Sequence, residues 1–255
     1  MSDTPPRPAQ DSAPRAVCGD APRAARPRCA SCQRPLSSCL CRWVRPTLQA
    51  LPVLVLQHPA EQAQAKGSLR LLQLSLQPCQ VEVGEQFDPL ALARWLAMPL
   101  ADSAAANPAS APVSAPAPAP PSAAAPPSAP RPGSALTRSL LLYPVRPGDP
   151  TTAALPLPLA DPAGWRLVLL DGTWRQTRQM LRLNPLLQSL PRWALPPPPP
   201  SRYAIRRAQR PDQRSTLEAA CLALAALQGD AQRFAPLLAA FDGWVAAELA
   251  RRPPA

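Results

Sequence analysis

The sequence predicts an α/β domain with a mainly parallel sheet, and three short apolar segments are the main reason. Each has the length of a buried strand and is followed directly by polar or ring-bearing residues. The segments are 53–56, followed by Gln57-His58-Pro59; 140–142, followed by Tyr143-Pro144; and 167–170, followed by Asp171-Gly172-Thr173-Trp174. Open α/β sheets bind ligands where strands end and the next helices begin. We therefore expect the functional site at these strand ends.

Composition separates segments that can fold from segments that cannot. Residues 1–27 are mostly Pro, Ala and Arg, and residues 99–135 are almost wholly Ala, Pro and Ser. Neither stretch has enough apolar surface to offset the entropy of ordering, so we predict that both are disordered. The remaining chain is long enough for one α/β domain with a core, which we place at 46–250, interrupted by the 99–135 insertion. A small cysteine-rich segment, 28–45, precedes it.

The chain is strongly basic, with 27 Lys and Arg against 16 Asp and Glu and a formal net charge of +11. Arginine carries nearly all of this charge, and it pairs bidentately with phosphate and stacks on bases, which indicates a polyanionic partner. An arginine-rich composition that reflects genomic base content is the alternative. No apolar run reaches the roughly 18 residues of a membrane span, and the amino terminus lacks a secretory segment. We expect a cytoplasmic protein, and no obligatory protein partner is evident.

Seven cysteines in a chain without an export signal favour metal binding over disulfides. Four of them form two close pairs on either side of a short turn, and at this spacing they predict a structural Zn²⁺ site that folds a knuckle too short to have a core. Redox pairing of neighbouring thiols is the alternative, because the second pair has one intervening residue. The four are Cys29, Cys32, Cys39 and Cys41, and Cys18 is an alternative ligand.

The remaining cysteines, Cys79 and Cys221, stand in apolar surroundings, where we expect buried thiols. Basic and aromatic residues flank the knuckle and suit a nucleic-acid contact, in which charges meet phosphates and the ring stacks on a base. They are Arg34, Arg42, Trp43 and Arg45. Trp43 has an alternative role as a hydrophobic plug between knuckle and domain.

Residues 173–183 follow a helical pattern with one packing face and one basic face. Trp174, Thr177 and Leu181 recur on the first, and Arg175, Arg178 and Arg182 on the second. A solvated arginine face is common, but this helix begins beside the predicted site, where its arginines can contact the phosphates of a polynucleotide. Asp171 or Thr173 is expected to cap the helix.

A second helix begins at Ser215, whose spacing to Glu218 fits a capping box. Residues 219–227 are apolar on all sides, so we expect this helix to be buried and its first N–H groups to be available to a ligand inside the domain. The proline-rich segment between the two helices includes the run 196–200. A loop this long in a compact domain is usually functional.

Together these motifs resemble the DTW-domain proteins, tRNA-uridine aminocarboxypropyltransferases related to the SPOUT-class knotted enzymes. The matching elements occur in the family's order between residues 29 and 227. They are Cys29-x-x-Cys32-x-x-Pro35, Cys39-x-Cys41, Gln57-His58-Pro59-x-Glu61, Leu141-Leu142-Tyr143-Pro144, Asp171-Gly172-Thr173-Trp174, Asn184-Pro185, Ser201-Arg202-Tyr203-x-Ile205-Arg206 and Ser215-Thr216-Leu217-Glu218-Ala219. The chain departs from the family pattern at the 99–135 insertion, the proline run and Arg214.

The resemblance implies that S-adenosylmethionine donates its 3-amino-3-carboxypropyl group to N3 of a tRNA uridine and leaves as 5′-methylthioadenosine. It also implies a SPOUT-like carboxyl-terminal knot, a rare exception among folds. The donor-binding residues that it implies are Leu170, Asp171, Thr173, Trp174, Leu190, Tyr203, Arg206, Ser215, Thr216 and Glu218. For tRNA binding we expect His58, Arg175, Arg178 and Arg182.

Transfer of this group is an SN2 displacement at the methionine Cγ, so orienting that carbon toward the nitrogen is the main catalytic task. Asp171 is the candidate base for the N3 proton, or it binds the donor's ammonium. We expect Asp171→Ala to abolish transfer and to leave the fold intact. Trp174 faces the sulfonium or stacks on the target base, and Arg206 pairs with the donor carboxylate or a phosphate. His58 either contacts substrate or is structural.

Two other functions use the same residues. A non-catalytic zinc-knuckle RNA-binding protein would share the charge and the cysteines, but it leaves Asp171, Trp174 and the second helix start unexplained. A SPOUT-type RNA methyltransferase would keep the fold and the donor and move the methyl group instead. Only the family resemblance separates that chemistry from aminocarboxypropyl transfer.

Overall fold

The structure is a computed structural model that describes residues 27–62, 64, 67–97, 138–145, 155–195 and 214–251. The chain divides into two compact units, residues 1–39 and residues 40–255. Of the tail predicted to be disordered, only Pro27 is described, and the whole predicted insertion at 99–135 lies outside the described residues.

The second unit contains a five-stranded, fully parallel sheet, which confirms the predicted α/β class. The strand order is β2-β1-β4-β3-β5, so β1 and β4 lie next to each other near the middle. The strands are β1 (Thr47–Gln57), β2 (Leu76–Val83), β3 (Arg138–Leu142), β4 (Trp165–Asp171) and β5 (Arg192–Trp193). The three apolar segments singled out in the sequence lie in β1, β3 and β4.

Seven α-helices and three short 3₁₀ turns accompany the sheet within the described ranges. The helices are α1 (Pro59–Gln62), α2 (Leu69–Ser75), α3 (Pro89–Ala97), α4 (Trp174–Leu183), α5 (Pro185–Gln188), α6 (Thr216–Gln228) and α7 (Ala231–Ala250); the turns are Leu36–Ser38, Cys41–Trp43 and Pro162–Gly164. Among these described helices, none combines the length and the apolar character needed to cross a bilayer. The knot predicted near the carboxyl terminus stays a prediction, because residues 196–213 lie outside the described ranges.

The core is centred on the two middle strands. The residues at 53–56 in β1 are fully buried and pair in register with 167–170 in β4. Parallel strands are covered on both faces, which is why these segments read as continuous apolar runs. Leu170 and Leu190, both predicted to bind the donor, are partly buried and pack against a core cluster that includes Leu54 and Tyr143.

The strand order places a crevice between the carboxyl ends of β1 and β4. From β1 the chain continues through α1 and α2 to β2 on one side, whereas from β4 it continues through α4 and α5 to β5 on the other side. Such a reversal of direction leaves a crevice between the loops that follow the two strands. The residues that open on this crevice are those after Gln57 and those after Asp171.

Both predicted helix starts are present. Thr173, one of the two expected caps, is the N-cap of α4: its hydroxyl accepts the backbone N–H of Gln176, and the Gln176 side chain accepts the backbone N–H of Thr173. Ser215 and Glu218 form the predicted capping box of α6, which is buried along most of its length. These reciprocal bonds satisfy N–H groups that a helix start otherwise leaves open.

One predicted helix face needs correction. Thr177 and Leu181 of α4 are buried as expected, but the third buried position is Met180 and not Trp174, which is 46% exposed. Trp174 is the first residue of the helix, just beyond the end of β4, where no strand continues beneath it. Its indole is therefore at the carboxyl edge of the sheet and not in the core.

The two isolated cysteines of the second unit behave as buried thiols. Cys221 in α6 is fully buried, and burial raises its pKa to about 12, with a further contribution from the charge of Glu218. Burial likewise raises the pKa of Cys79 in β2 to about 12. Neither group forms a thiolate near neutral pH, so neither is suited to nucleophilic or metal chemistry.

Trp43 is a packing residue of the second unit. A Cβ atom added at Gly243 in α7 would lie 2.5 Å from Cζ3 and 3.0 Å from Cη2 of the Trp43 indole, so this contact requires glycine. The Arg42 guanidinium lies 4.7 Å from the indole centroid on Trp43. The structure shows this packing contact of the half-buried Trp43, and the stacking of Trp43 on a base stays a prediction.

Gly243→Ala is expected to destabilise the protein, although the same change inside an exposed helix stabilises by about 1 kcal/mol. The added methyl group overpacks the indole, and we expect the free energy of unfolding to fall by about 1–3 kcal/mol. Urea denaturation followed by circular dichroism measures this. In a Trp43→Ala background the same glycine substitution should become stabilising. An equal effect in both backgrounds would show that the indole does not limit this position.

Candidate active site

Strands β1, β2 and β4 end at the same level of the sheet, so the residues that follow them lie along one edge. Gln57, the last residue of β1, pairs in register with Val83 on one side and with Asp171 on the other. The backbone continues this pattern past the strands, since His58 N–H donates to the carbonyl of Asp171 at 2.9 Å and Gly84 N–H donates to the carbonyl of Gln57 at 3.0 Å. The two strand ends before His58 and Gly172 therefore meet, as the sequence predicted.

Asp171 connects three elements through its carboxylate. Oδ2 accepts from the Gln57 amide at 2.9 Å, and Oδ1 accepts from the hydroxyl of Thr216 in a short hydrogen bond. The side chain is only 9% exposed. Through these bonds Asp171 attaches the end of β4 both to β1 and to the first residue of α6.

The contact between Asp171 and Thr216 unites two predicted donor-binding motifs from distant parts of the chain. Thr216 is the first residue of α6, directly after the cap formed by Ser215. Glu218 Oε2 accepts from the backbone N–H of Ser215 at 3.0 Å and from its hydroxyl at 2.9 Å. Ser215 and Glu218 are thus both used in building the helix start, while Thr216 contacts the acid.

The exposed indole of Trp174 rests on the edge of another predicted strand end. Its ring lies 5.8 Å from the ring of Tyr143 in a T-shaped arrangement, and Tyr143 itself is buried. The Tyr143 hydroxyl is 3.3 Å from the hydroxyl of Thr177, one turn along α4. Trp174 is therefore held from below by aromatic packing while much of its surface stays open to a ligand.

A cavity of about 560 Å³ lies along the start of α4 at this edge. Its size is within the range of small-molecule sites. It is lined by polar and charged side chains from three strand ends and from one helix: His58, Glu85, Thr173, Arg175, Gln176, Gln179 and Arg182. Four of these, His58, Thr173, Arg175 and Arg182, were predicted as site residues.

His58 and Glu85 face each other across part of this cavity. His58 Nε2 is 3.8 Å from Glu85 Oε1, and the two side chains are 16% and 42% exposed. The other ring nitrogen, Nδ1, is 3.2 Å from the backbone N–H of Ala60, which donates to it at the start of α1. His58 is mostly buried, yet its Nε2 side faces the cavity, so its two predicted roles are compatible.

The arginines of α4 form the predicted basic face. Arg175, Arg178 and Arg182 are all exposed, and within the described ranges none of their guanidinium groups has a carboxylate or hydrogen-bond partner. Arg175 and Arg182 line the cavity, and Arg178 lies outside its lining. Cations without protein partners beside a polar cavity are suited to phosphate binding.

The four predicted metal-binding cysteines come together in space. The sulfur atoms of Cys29, Cys32, Cys39 and Cys41 all lie within 4.8 Å of one another, and those of Cys32 and Cys39 are 3.7 Å apart. Tetrahedral zinc with Zn–S bonds of about 2.3 Å places its sulfur ligands about 3.8 Å apart. The donor set and its spacing therefore fit zinc.

Local backbone features explain how so short a segment brings four thiols together. Gln33, after the first pair, has a positive φ of 58°, and its N–H donates to the carbonyl of Cys29 at 2.9 Å. In the second pair, Cys39 follows the turn Leu36–Ser38 and Cys41 begins the turn Cys41–Trp43, with the fully buried Leu40 between them. These turns allow a pair with one intervening residue to join the cluster.

Some predicted residues lie outside the described part of the chain, and some that contribute to the site were missed. Tyr203, Arg206 and Cys18 belong to the first group.

Glu85 is a site residue that the sequence analysis did not predict. It directly follows Gly84 after β2, and the alternating pattern of that strand is the signal that marks this strand end. Asn184 holds the Glu85 loop: its amide donates to the carbonyl of Glu85 at 2.9 Å and its oxygen accepts from the N–H of Phe87 at 2.9 Å.

A parallel sheet with a polar, basic cavity at its carboxyl edge, preceded by a four-cysteine cluster, defines an α/β protein of the ligand-binding kind. The sequence matches the DTW domain over residues 26–248. Because this match covers most of the chain, the chain belongs to the DTW-domain family, which confirms the resemblance drawn from its motifs.

Relatives of the chain include proteins named tRNA-uridine aminocarboxypropyltransferase 2 from Mus musculus and Drosophila melanogaster. Identity to the mouse protein is 28% over 207 residues, which cover 80% of this chain and 57% of the mouse protein. Identity to the fly protein is 28% over 213 residues, covering 80% and 67%. This chain thus spans a little over half the length of the mouse relative. No solved structure shows a significant match.

Proposed function

We propose that this protein transfers the 3-amino-3-carboxypropyl group of S-adenosylmethionine to N3 of a tRNA uridine and releases 5′-methylthioadenosine. The observation that carries the proposal is its similarity, over 80% of the chain, to two proteins named tRNA-uridine aminocarboxypropyltransferase 2. The matched segments cover 57% and 67% of the two relatives. The proposal therefore concerns only the reaction of the part that this chain shares with them.

The residues at the carboxyl edge fit a sulfonium donor. The donor carries a sulfonium and an ammonium, and an anionic side chain and an exposed aromatic ring are the groups that stabilise such cations. Asp171 supplies the carboxylate and Trp174 the ring, and Thr216 is bonded to the same carboxylate. Each carboxylate oxygen can accept more than one hydrogen bond, so the bonds from Gln57 and Thr216 are compatible with a role of Asp171 toward the ammonium.

Bound here, S-adenosylmethionine supplies an electrophilic Cγ next to its positive sulfur. The chain's own task is to present that carbon, and not the methyl carbon, to the uridine nitrogen. We assign the orientation to Asp171, Thr216 and Trp174, because bonds and packing within the protein already hold these side chains. Leu170 and Leu190 contribute as the apolar wall behind them. Tyr203 and Arg206 stay predicted donor-binding residues.

We place the tRNA along the basic face of α4. Arg175, Arg178 and Arg182 are positioned to contact the phosphates, and His58 stands at the cavity where a target nucleotide would enter. The four-cysteine cluster is a structural zinc site in this proposal and orients RNA without taking part in the chemistry. A cytoplasmic location and the SPOUT-like knot remain predictions of the same hypothesis.

One assay tests the proposed reaction. Purified protein is incubated with unmodified tRNA and S-adenosylmethionine, the RNA is digested, and the nucleosides are analysed by mass spectrometry. We expect uridine carrying the aminocarboxypropyl group together with released 5′-methylthioadenosine. A methyl increment with S-adenosylhomocysteine would instead identify an RNA methyltransferase. Binding of tRNA without any modified nucleoside would identify a non-catalytic RNA-binding protein.

The placement of tRNA is tested separately by neutralising the basic face. Arg178→Gln lies outside the cavity lining, so we expect it to weaken tRNA binding and to reduce the dependence of binding on salt by about one counterion. Filter binding across a salt series measures both quantities. Arg233→Gln in α7 is the matched control, because Arg233 is already paired with Asp230 at 3.0 Å. Identical salt slopes for the two variants would remove Arg178 from the RNA contact.

A further inference from the structure

The cavity beside α4 contains an acid that the sequence did not single out. Glu85 faces His58, and among the described residues His58 is its only ion-pair partner. Its backbone is fixed by the buried side chain of Asn184, which bonds to Glu85 and Phe87. The backbone that carries Glu85 is therefore held at the edge of the cavity, and its carboxylate opens to the cavity.

The hydrogen bond from Ala60 determines which nitrogen of neutral His58 carries the proton. A backbone N–H can only donate, so Nδ1 must be the acceptor, and the proton of the neutral ring is on Nε2. This Nε2–H points toward Glu85, but the distance of 3.8 Å is too long for a hydrogen bond. The cavity thus presents a hydrogen-bond donor, His58 Nε2–H, next to a hydrogen-bond acceptor, the Glu85 carboxylate. The two groups do not form a hydrogen bond with each other.

A donor next to an acceptor is complementary to one edge of uracil. The imide edge presents a carbonyl oxygen, which accepts, next to N3–H, which donates. Cytosine can pair with the same donor and acceptor through N3 and its amino group, but it has no N3–H. Only uracil therefore presents, as the group that faces Glu85, the N3 atom that the reaction modifies. Arg175 and Arg182 line the same cavity and can hold the phosphate of the nucleotide.

We propose that His58 and Glu85 form the recognition site for the target uracil, with His58 Nε2–H donating to an imide carbonyl and Glu85 accepting from N3–H. This inference rests on the proposed function. It assigns the role of general base, which accepts the N3 proton, to Glu85 instead of Asp171. Both Asp171 oxygens accept hydrogen bonds within the protein, and Asp171 is not part of the cavity lining.

The N3 proton first moves to the Glu85 carboxylate, and the neutral carboxyl group then turns aside, because the lone pair left on N3 points along the former N3–H direction. The N3 lone pair then forms a bond to Cγ of S-adenosylmethionine. The Cγ–sulfur bond breaks at the same time, and its electron pair stays on sulfur as a neutral thioether. The negative charge of Glu85 and the positive charge of the sulfonium are both lost, so charge is conserved. His58 keeps its Nε2 proton and holds the uracil through a hydrogen bond to an imide carbonyl.

Nucleotide binding in the absence of S-adenosylmethionine tests the recognition site alone. The full-length protein is labelled with ¹⁵N-histidine, and its single histidine gives unambiguous imidazole signals. We expect the Nε2–H tautomer in the free protein. Uridine 5′-monophosphate should shift the Nε2 signal and bind about tenfold or more tightly than N3-methyluridine 5′-monophosphate, which has a methyl group in place of the proton that Glu85 accepts. Equal binding of the two nucleotides would overturn the proposal.

Substitution of the acid separates recognition from proton transfer. The amide oxygen of Glu85→Gln can still accept from N3–H but cannot take up the proton, so this variant should keep uridine monophosphate binding and lose transfer to tRNA by about a hundredfold or more. Glu82→Gln is the matched control, since Glu82 lies three residues earlier in β2 and outside the cavity lining. Thermal melts confirm that both variants fold.

The outcomes distinguish this inference from the proposed function. Full transfer activity in Glu85→Gln would remove Glu85 from the reaction while the transferase assignment stands. Wild-type protein that prefers uridine monophosphate but makes no aminocarboxypropyl-uridine would overturn the proposed reaction and the role of Glu85 as its base, and would support the recognition site.

Discussion

Asp171→Asn is expected to reduce aminocarboxypropyl transfer by about a hundredfold or more, which is the size of effect seen when a preorganised polar group is removed from an active site. The substitution preserves shape but removes the charge and replaces one acceptor oxygen by a donor. Turned toward Thr216, the new amide N–H can donate to the hydroxyl, which also accepts, while the amide oxygen still accepts from Gln57, so the variant tests mainly the loss of charge. Transfer measured at saturating and at low donor concentration shows whether the loss is in binding or in turnover.

Asp171→Ala should also cost stability, which changes the expectation drawn from sequence. Loss of the carboxylate leaves the Gln57 amide and the Thr216 hydroxyl without this acceptor, at about 1–3 kcal/mol in the free energy of unfolding. Thr216→Val removes the other partner of the same hydrogen bond. The Asp171→Ala/Thr216→Val double variant should lose less free energy of unfolding than the sum of the two single variants. Asp161→Asn, which alters the cap of a 3₁₀ turn, is the control. Full transfer by Asp171→Asn would show that the charge is not required.

Cys32→Ser is expected to abolish stoichiometric zinc binding. Cys32 is buried and its sulfur lies 3.7 Å from that of Cys39, so it belongs to the centre of the cluster. A serine hydroxyl fits there but stays protonated near neutral pH, so it cannot replace the thiolate as a zinc ligand. Wild-type protein should contain about one zinc per chain, because four thiolates fill a structural site. Elemental analysis after gel filtration measures the metal content, and trypsin sensitivity at Arg34 reports the folding of the knuckle, which depends on the metal.

Two control variants make the zinc prediction specific. Cys79→Ser should retain zinc, because burial raises the pKa of that thiol to about 12 and keeps it protonated. Cys18→Ser tests the alternative ligand expected from the sequence. One zinc per chain in Cys32→Ser would contradict the four-cysteine site, and loss of zinc in Cys18→Ser would show that Cys18 takes part.

Much of the fold could be predicted because its signals are local. The apolar run at 167–170 predicts a buried strand, and the pair Ser215 and Glu218 predicts a helix start, since each pattern depends on residues close together in the chain. Trp174 shows where such reasoning fails. Its spacing matched the buried face of α4, but burial depends on what covers the position, and the sheet ends just before it.

The site was predicted only where strand ends are visible in the sequence. His58 and Asp171 follow clear apolar runs, whereas Glu85 follows β2, whose alternating pattern is less apolar and drew attention to Cys79 alone. Asn184 was noted as part of a motif, but its bonds to the Glu85 loop join residues that are 99 and 97 positions apart. No local pattern contains such a pairing.

The sequence by itself determined three of the five strands, the helix caps, the basic face of α4 and the four-cysteine spacing. The physical reason is that periodicity, capping and turn chemistry act over a few residues. Only the tertiary structure decided that β1 and β4 are neighbours, that Asp171 bonds to Thr216 and that Glu85 faces His58. These contacts depend on the strand order and on the packing of distant segments, which hydrophobic burial selects among many arrangements of the same local elements.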